Sequence, residues 1–392
     1  MKSKAEKKAL GIYVHIPFCV RKCNYCDFLS APADEKTMLQ YVNALIEEIK
    51  AVKKEKEAYQ VQTIYFGGGT PSLLKAEWIE KILEALDHSF MLDDHSNMEI
   101  TLEVNPKTAD HNKFLAYKKM GINRLSMGLQ STYDEELQKL GRVHNYEDFC
   151  MCYREAREAL FDNINVDVMS ALPGQTRERY AKTLERICAL EPEHISSYSL
   201  IVEEGTPFWN RYGEGKPGNR ELPDEDTDRQ MYEDTKQILQ AHGYKRYEIS
   251  NYAKPGRESR HNTSYWTGTP YLGLGLGASS YFEGRRYRNG DRLQEYLQGA
   301  QEKRWHRYDM ENIGRKEAME EFMFLGLRLI RCVSKKEFYE RFEVPIHTVY
   351  GTQITTFCEQ GALSETDTRI GFTDFGIDVS NQVFQAFLLD EL

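Results

Sequence analysis

No stretch of this 392-residue chain approaches the roughly 18 consecutive apolar residues needed to cross a bilayer. The opening Met-Lys-Ser-Lys-Ala-Glu-Lys-Lys is charged and leads into no long apolar run, so neither signal peptide nor anchor is expected and a cytoplasmic location follows. Basic residues are not in excess: 51 Lys and Arg face 61 Asp and Glu, a net charge of −10. An extended nucleic-acid surface needs the opposite balance, because phosphate neutralisation drives that binding. A local basic patch such as Arg285-Arg286-Tyr287-Arg288 stays open as a binding surface, although such a run is more often a solvated loop. Cysteine is sparse, 8 residues in all, and no second CxxC accompanies the one at Cys23 and Cys26. A disulfide framework is therefore disfavoured.

What is present is an ordinary globular composition, 41% apolar and 29% charged, enough for one large core and a smaller second one. Strand-like runs at 11–16, 63–66, 99–104, 124–128, 165–169 and 194–200 alternate with helical periods at 38–54, 76–88, 110–120, 146–159 and 178–189. The alternation predicts an α/β fold, a partial (β/α)6 TIM-like barrel with its chemistry at the carboxyl ends of the strands. Beyond 202 the pattern changes: a Gly-, Pro- and charge-rich stretch, a helix at 228–241, a strand at 244–249 and a long loop at 251–264. After 301, helices at 315–329, 335–342 and 346–359 and short alternating runs around 361–375 predict a mainly helical, winged-helix-like unit. Such units often bind DNA, but Glu317, Glu320, Glu321 and Glu337 predict an acidic surface that favours packing or partner recognition. Three segments result: 1–225, 226–300 and 301–392.

The loop after the first strand reads Cys19-Val-Arg-Lys-Cys23-Asn-Tyr-Cys26. Three thiolates so close together can hold three corners of an iron–sulfur cube, leaving one iron for an exchangeable ligand, since a cubane normally takes four cysteines. A structural zinc site is the alternative, but it wants a further Cys or His pair, and His15 is the only other ligand type nearby.

Strand two ends in Phe66-Gly67-Gly68-Gly69-Thr70-Pro71-Ser72, where backbone can approach a ligand without Cβ obstruction, or simply turn tightly into a helix. This loop lacks the GxxxxGK[ST] and GxGxxG spacings of nucleotide sites. Glu103, Gln130 and Asp167 place polar groups at successive strand ends, and Arg142 offers a cation for a carboxylate. Together they suit a ligand with an ammonium, a carboxylate and ribose hydroxyls, which describes S-adenosylmethionine.

The cysteine loop with Gly-Gly-Gly-Thr-Pro resembles the radical S-adenosylmethionine superfamily. Tyr13-Val-His-Ile-Pro-Phe-Cys19, Asn123-Arg-Leu-Ser-Met-Gly-Leu-Gln130 and Ala171-Leu-Pro-Gly-Gln-Thr176 narrow the resemblance to the oxygen-independent coproporphyrinogen III oxidase family, over nearly the whole chain. The resemblance implies that Cys19, Cys23 and Cys26 bind a [4Fe–4S] cluster whose open iron S-adenosylmethionine chelates. It also implies Tyr13 and Tyr25 near cluster and adenine, Gly68, Gly69 and Thr70 along the methionine moiety, and Glu103 on the ammonium. Arg142 would meet the carboxylate, Gln130 and Asp167 the ribose, and Ile201 the adenine pocket.

Two departures argue against oxidative decarboxylation. The oxidases have a further cysteine two residues past the third ligand, where this chain has Phe28, and an extension ahead of a loop that here begins at Cys19. Instead, His261-Asn262-Thr263-Ser264-Tyr265-Trp266 is similar to the HNxxYW signature of the HemW branch, haem chaperones related to those oxidases. Imidazole ligates haem iron, and Tyr265 and Trp266 offer flat faces to a porphyrin; an isolated His on a loop is otherwise solvated or capping. Cys150, Cys152, Cys188, Cys332 and Cys358 read as structural, the last three within helical apolar stripes, as do His194, His242, His306 and His347.

The resemblance thus implies a protein that binds haem through HNxxYW, passes it to an acceptor haemoprotein, and uses cluster and S-adenosylmethionine for assembly, homodimerisation or control. The alternative is the oxidase reaction, with an electron donor reducing the cluster. A structural zinc protein is the third possibility.

Overall fold

The computed structural model describes residues 7–52, 58–92 and 97–389. Six strands run parallel in sequence order: β1 (Lys8–Ile16), β2 (Tyr59–Gly68), β3 (Glu99–Val104), β4 (Arg124–Gln130), β5 (Ile164–Ser170) and β6 (His194–Ser199). Helices including Glu35–Ala51, Ala76–Phe90, His111–Lys119, Tyr146–Glu158 and Arg177–Cys188 connect them. Asp34, Asp110, Asn145 and Thr176 cap four of these through side-chain oxygens, each cap contributing about 1 kcal/mol. The last positions of the helix expected over 38–54 lie outside the described residues.

Period-two alternation sorts the strands into two faces. Leu125, Met127 and Leu129 of β4 join the large apolar core, whereas Arg124, Ser126 and Gln130 form the other face, and all seven residues of β4 are buried. The same parity sets Thr63 and Tyr65, Glu99, Thr101 and Glu103, Asn165 and Asp167, and His194 and Ser196 on the inner face. Their mutual bonds include His194 Nδ1 with Asn165 Oδ1 at 2.6 Å and Ser196 Oγ to the same oxygen at 3.1 Å. The barrel therefore has an apolar outside against helices and a polar interior.

The sheet does not close on itself. β7 (Lys245–Arg246) and β8 (Asn251–Ala253) add antiparallel to β6, and β9 (Tyr271–Leu274) pairs parallel with β1. β10 (Ser279–Phe282), β11 (Arg285–Asn289) and β12 (Arg307–Asn312) continue outward from β9. Segment 226–300 thus extends both edges of one twelve-stranded sheet. The strand expected over 244–249 is shorter, the loop expected over 251–264 contains β8 and most of a helix at Arg260–Trp266, and the basic run at 285–288 is strand rather than solvated loop.

Residues from Met319 to Phe387 form a second core around Met323, Phe338, Tyr350, Ile354 and Ile370. Helices Arg315–Gly326, Lys335–Phe342 and Ile346–Glu359 pack with a three-stranded sheet of Val333–Ser334, Arg369–Phe372 and Leu363–Glu365. Its expected acidic surface is partly spent on internal ties: Glu321 pairs with Arg286 at 2.9 Å and Glu320 accepts from Leu389 N. Cys332 lies not in a helical stripe but in a turn, at φ 71°.

Candidate functional site

β1 ends at Ile16 and delivers the cysteine loop, which is tied at both sides. Cys19 N donates to Ala31 O at 3.2 Å and Ala31 N to Pro17 O at 3.0 Å, while the His15 ring bonds Leu29 O through Nε2 at 2.9 Å. Opposite, Asn24 N donates to Leu140 O at 2.9 Å and Arg21 to Gly141 O at 2.7 Å. Cys19, Cys23 and Cys26 are free and partly exposed. Thr70 Oγ1 donates to Cys19 Sγ at 3.5 Å and the Arg142 guanidinium to Cys23 Sγ at 3.6 Å.

Among the described residues no three His, Cys, Asp or Glu side chains converge to hold a single metal ion. In a cubane each thiolate takes a separate iron, so three corner ligands need not converge. The donor set fits a cluster better than a lone zinc. Gly69 fits it as well: a Cβ there would meet Phe18 O at 2.6 Å and Cys19 Sγ at 3.0 Å, so only glycine lets the two loops approach this closely.

Beside the cysteines lies a polar cradle. Glu103 Oε1 accepts from Tyr65 OH at 2.9 Å and Oε2 from Gly68 N at 3.1 Å. Burial, reinforced by the negative charge of Asp167, pushes the Glu103 carboxyl up to about 8. Burial also raises Asp167, which accepts from Asn165 Nδ2 at 2.7 Å and Ser126 Oγ at 3.3 Å. Arg142 donates to Gly128 O at 2.7 Å and to Asn105 Oδ1, while Asn105 Nδ2 donates to Thr70 Oγ1 at 2.7 Å. Cys19, Thr70, Asn105, Arg142 and Cys23 therefore form one unbroken run of polar contacts. The buried Nε of Arg142 has no partner, an unused donor of the kind a ligand carboxylate would satisfy. Gln130 takes φ +72° and accepts from Tyr198 OH at 3.1 Å. Tyr25 meets the edge of Phe208 at 6.3 Å, Tyr13 bonds the His15 ring at 3.0 Å, and Ile201 is 70% exposed after β6.

The HNxxYW residues sit elsewhere. Glu99, in the first position of β3, accepts from Arg260 N and His261 N at 2.9 Å each, so a buried carboxylate caps the Arg260–Trp266 helix at the amino end of the barrel. His261 is 1% exposed. Its Nδ1 bonds Thr63 Oγ1 at 2.7 Å, its Nε2 bonds Tyr265 OH at 2.8 Å, and its ring stacks on Tyr65 at 5.1 Å. Burial, helped by Arg124, lowers its pKa to about 3, so the ring is neutral. Trp266 lies under the Arg328 guanidinium at 4.3 Å, and Asn262 is half-buried. The sequence expectation of a loop histidine with two free aromatic faces thus differs from this arrangement, because the polar barrel interior needs partners and the helix supplies them.

Sequence reasoning passed over Tyr65 and Asn105. Both were visible as polar residues on the inward parity of their strands, Thr63-x-Tyr65 and Glu99-x-Thr101-x-Glu103-x-Asn105.

Residues 13–187 match the radical SAM superfamily and residues 313–379 the HemN C-terminal domain. Proteins named heme chaperone HemW are similar nearly end to end. The one from Lactococcus lactis is 38% identical over 98% of this chain and 99% of its own, and the one from Bacillus subtilis 36% over 96% and 98%. That from Escherichia coli is 32% identical over 97% and 98%. The solved structure of Escherichia coli coproporphyrinogen III oxidase (HemN), a radical SAM enzyme, superposes with a TM-score of 0.82 at 22% identity, covering 97% of this chain and 90% of that one, a likeness of fold. With this extent of similarity and both domains in place, the chain belongs to the HemW family of the radical SAM superfamily.

Proposed function

We propose that this protein is a haem chaperone: it binds haem, passes it to an acceptor haemoprotein, and carries a [4Fe–4S] cluster with S-adenosylmethionine. The observation that carries the reading is the near-complete coverage, at 38% identity, of a relative named for that activity. Phe28 supports it against the oxidase alternative, since its 68% exposed ring stands where the oxidases place a thiol.

In this reading Cys19, Cys23 and Cys26 hold the cluster, and Gly68, Gly69 and Thr70 follow the methionine moiety. Glu103 takes the ammonium and Arg142 the carboxylate. Gln130 and Asp167 face the ribose, and Tyr13, Tyr25 and Ile201 border the cluster and adenine. Bound together, cluster and S-adenosylmethionine supply one-electron chemistry, fed by an external donor. The chain's own part is positional and protonic: Glu103 sheds its proton when the ammonium arrives, and Arg142 orients the carboxylate while holding Cys23.

Anaerobic reconstitution tests this. The wild type should take up iron and acid-labile sulfide, bind haem with a saturable Soret band, and leave coproporphyrinogen III unchanged. Stoichiometric release of 5′-deoxyadenosine with conversion of that substrate would decide for the oxidase. Zinc in place of iron and sulfide would decide for the structural alternative.

A further inference from the structure

A groove of about 460 Å³ lies between the carboxyl end of the Glu35–Ala51 helix and the ribbon β9–β12, away from the cysteine loop. Its charge follows from strand parity. Arg285, Tyr287 and Asn289 of β11 face it, while Arg286 and Arg288 turn the other way to pair with Glu321 and Asp309. A register shift between Arg286 and Arg288, with Asp309 at φ +52°, inserts one extra residue into β12 and brings Met310 to the same side as Arg307.

Leu272, Leu274, Phe282, Trp305 and Met310 supply the apolar part of the walls, two of them as aromatic rings. Arg307 lies 4.4 Å over the Tyr287 ring. At the base, Glu48 accepts from Gly275 N at 2.8 Å, Asn289 Nδ2 at 2.7 Å and Tyr296 OH, so its carboxylate is fully engaged by the protein. The rim is different. Among the described residues neither Lys303 nor Arg307 is in an ion pair, and Arg285 has only a long one, 3.8 Å from Glu283. The buried Nε1 of Trp305 has no acceptor. Three cations that meet Glu47, Glu48 and Glu283 only at long range, around a partly apolar slot in a chain of net charge −10, form a site for an anionic apolar ligand.

We infer that this groove seats haem, its apolar disc against Phe282, Trp305 and Met310 and its two propionates on Lys303, Arg307 and Arg285. The assignment rests on the haem-chaperone reading and deepens it. A flat ring with two carboxylates on one edge matches both the aromatic rings of Phe282 and Trp305 and the cationic rim; a fatty acid would leave those rings and two cations unused. The HNxxYW histidine offers no such place, since both its nitrogens are bonded inside the barrel.

The test uses the full, cluster-loaded chain under anaerobic conditions, titrated with haemin and with haemin dimethyl ester, following the Soret band. Wild type should saturate with haemin, and the paired change Lys303→Glu with Arg307→Glu should weaken binding about tenfold or more. The dimethyl ester should bind wild type as weakly as haemin binds the double variant. Both positions are exposed, so unchanged cluster content and thermal transition verify the fold. Saturable binding that ignores the rim charges, or that is lost only in His261→Ala, overturns the seat and leaves the chaperone reading standing. Absence of any saturable Soret change in wild type fells both.

Discussion

Tyr65 donates its hydroxyl to Glu103 at 2.9 Å while its ring lies 5.1 Å from that of His261. One aromatic residue of β2 thus joins the helix that plugs the amino end of the barrel to the carboxylate of the ligand cradle above. Glu103 depends on this donor, because a hydrogen bond to the ionised carboxylate opposes the upward pull of burial.

Tyr65→Phe keeps the ring and removes the bond. S-adenosylmethionine affinity should fall about ten- to a hundredfold, the scale of one hydrogen bond to a charged group, with the pH needed for binding displaced upward. Calorimetric titration from pH 6 to 9 measures both; unchanged affinity and profile would deny Tyr65 a positioning role.

With the Glu103 carboxyl near 8, a cationic ammonium must displace a proton at neutral pH. Affinity should fall as pH drops below about 8, with close to one proton released per ligand bound, read from buffers of different ionisation heat. In the ligand-free protein the sign is opposite to that of a salt-bridged acid: a carboxyl whose native pKa is raised stabilises less as pH rises from its unfolded value toward about 8. Glu103→Gln should therefore raise thermal stability at pH 8 while abolishing ligand binding and its pH dependence.

Gly69→Ala drives a methyl group to within 2.6 Å of Phe18 O and 3.0 Å of Cys19 Sγ. The cysteine loop has to move, so cluster content after anaerobic reconstitution should drop by more than about half, while secondary structure by circular dichroism stays as in wild type.

Arg142→Lys cannot reproduce a fork that reaches Cys23 Sγ, Asn105 and Gly128 O together. S-adenosylmethionine affinity should fall about tenfold or more with the cluster retained, seen as an unchanged spectrum of the reduced cluster without ligand and a weakened response to adding it.

His261→Ala strands Thr63 and Tyr265 in the barrel interior and leaves a gap against Tyr65. A loss of about 2–4 kcal/mol in stability is expected, measured by denaturant titration against wild type. An unaltered transition would show that the plug contributes nothing.

Much of this molecule was readable along the chain. The six βα units follow from local periodicity, and the cysteine loop and the glycine turn fall at the ends of β1 and β2 because those strands end there. Glu103, Gln130 and Asp167 could be placed at strand ends for the same reason. Asn105 escaped notice because its value lies in bridging Thr70 to Arg142, a relation between three separate loops.

The sequence by itself determined the alternation and the motif order, both of which depend on neighbours a few residues apart. Tertiary structure alone decided where side chains of ambiguous type point. His261 meets Thr63 across 198 positions and becomes a buried strut, and Arg286 is neutralised by Glu321 while Arg307, one strand over, is left on the cationic rim of a groove. Those outcomes are fixed by sheet order and by one extra residue in β12, and hydrophobic periodicity carries no information about either.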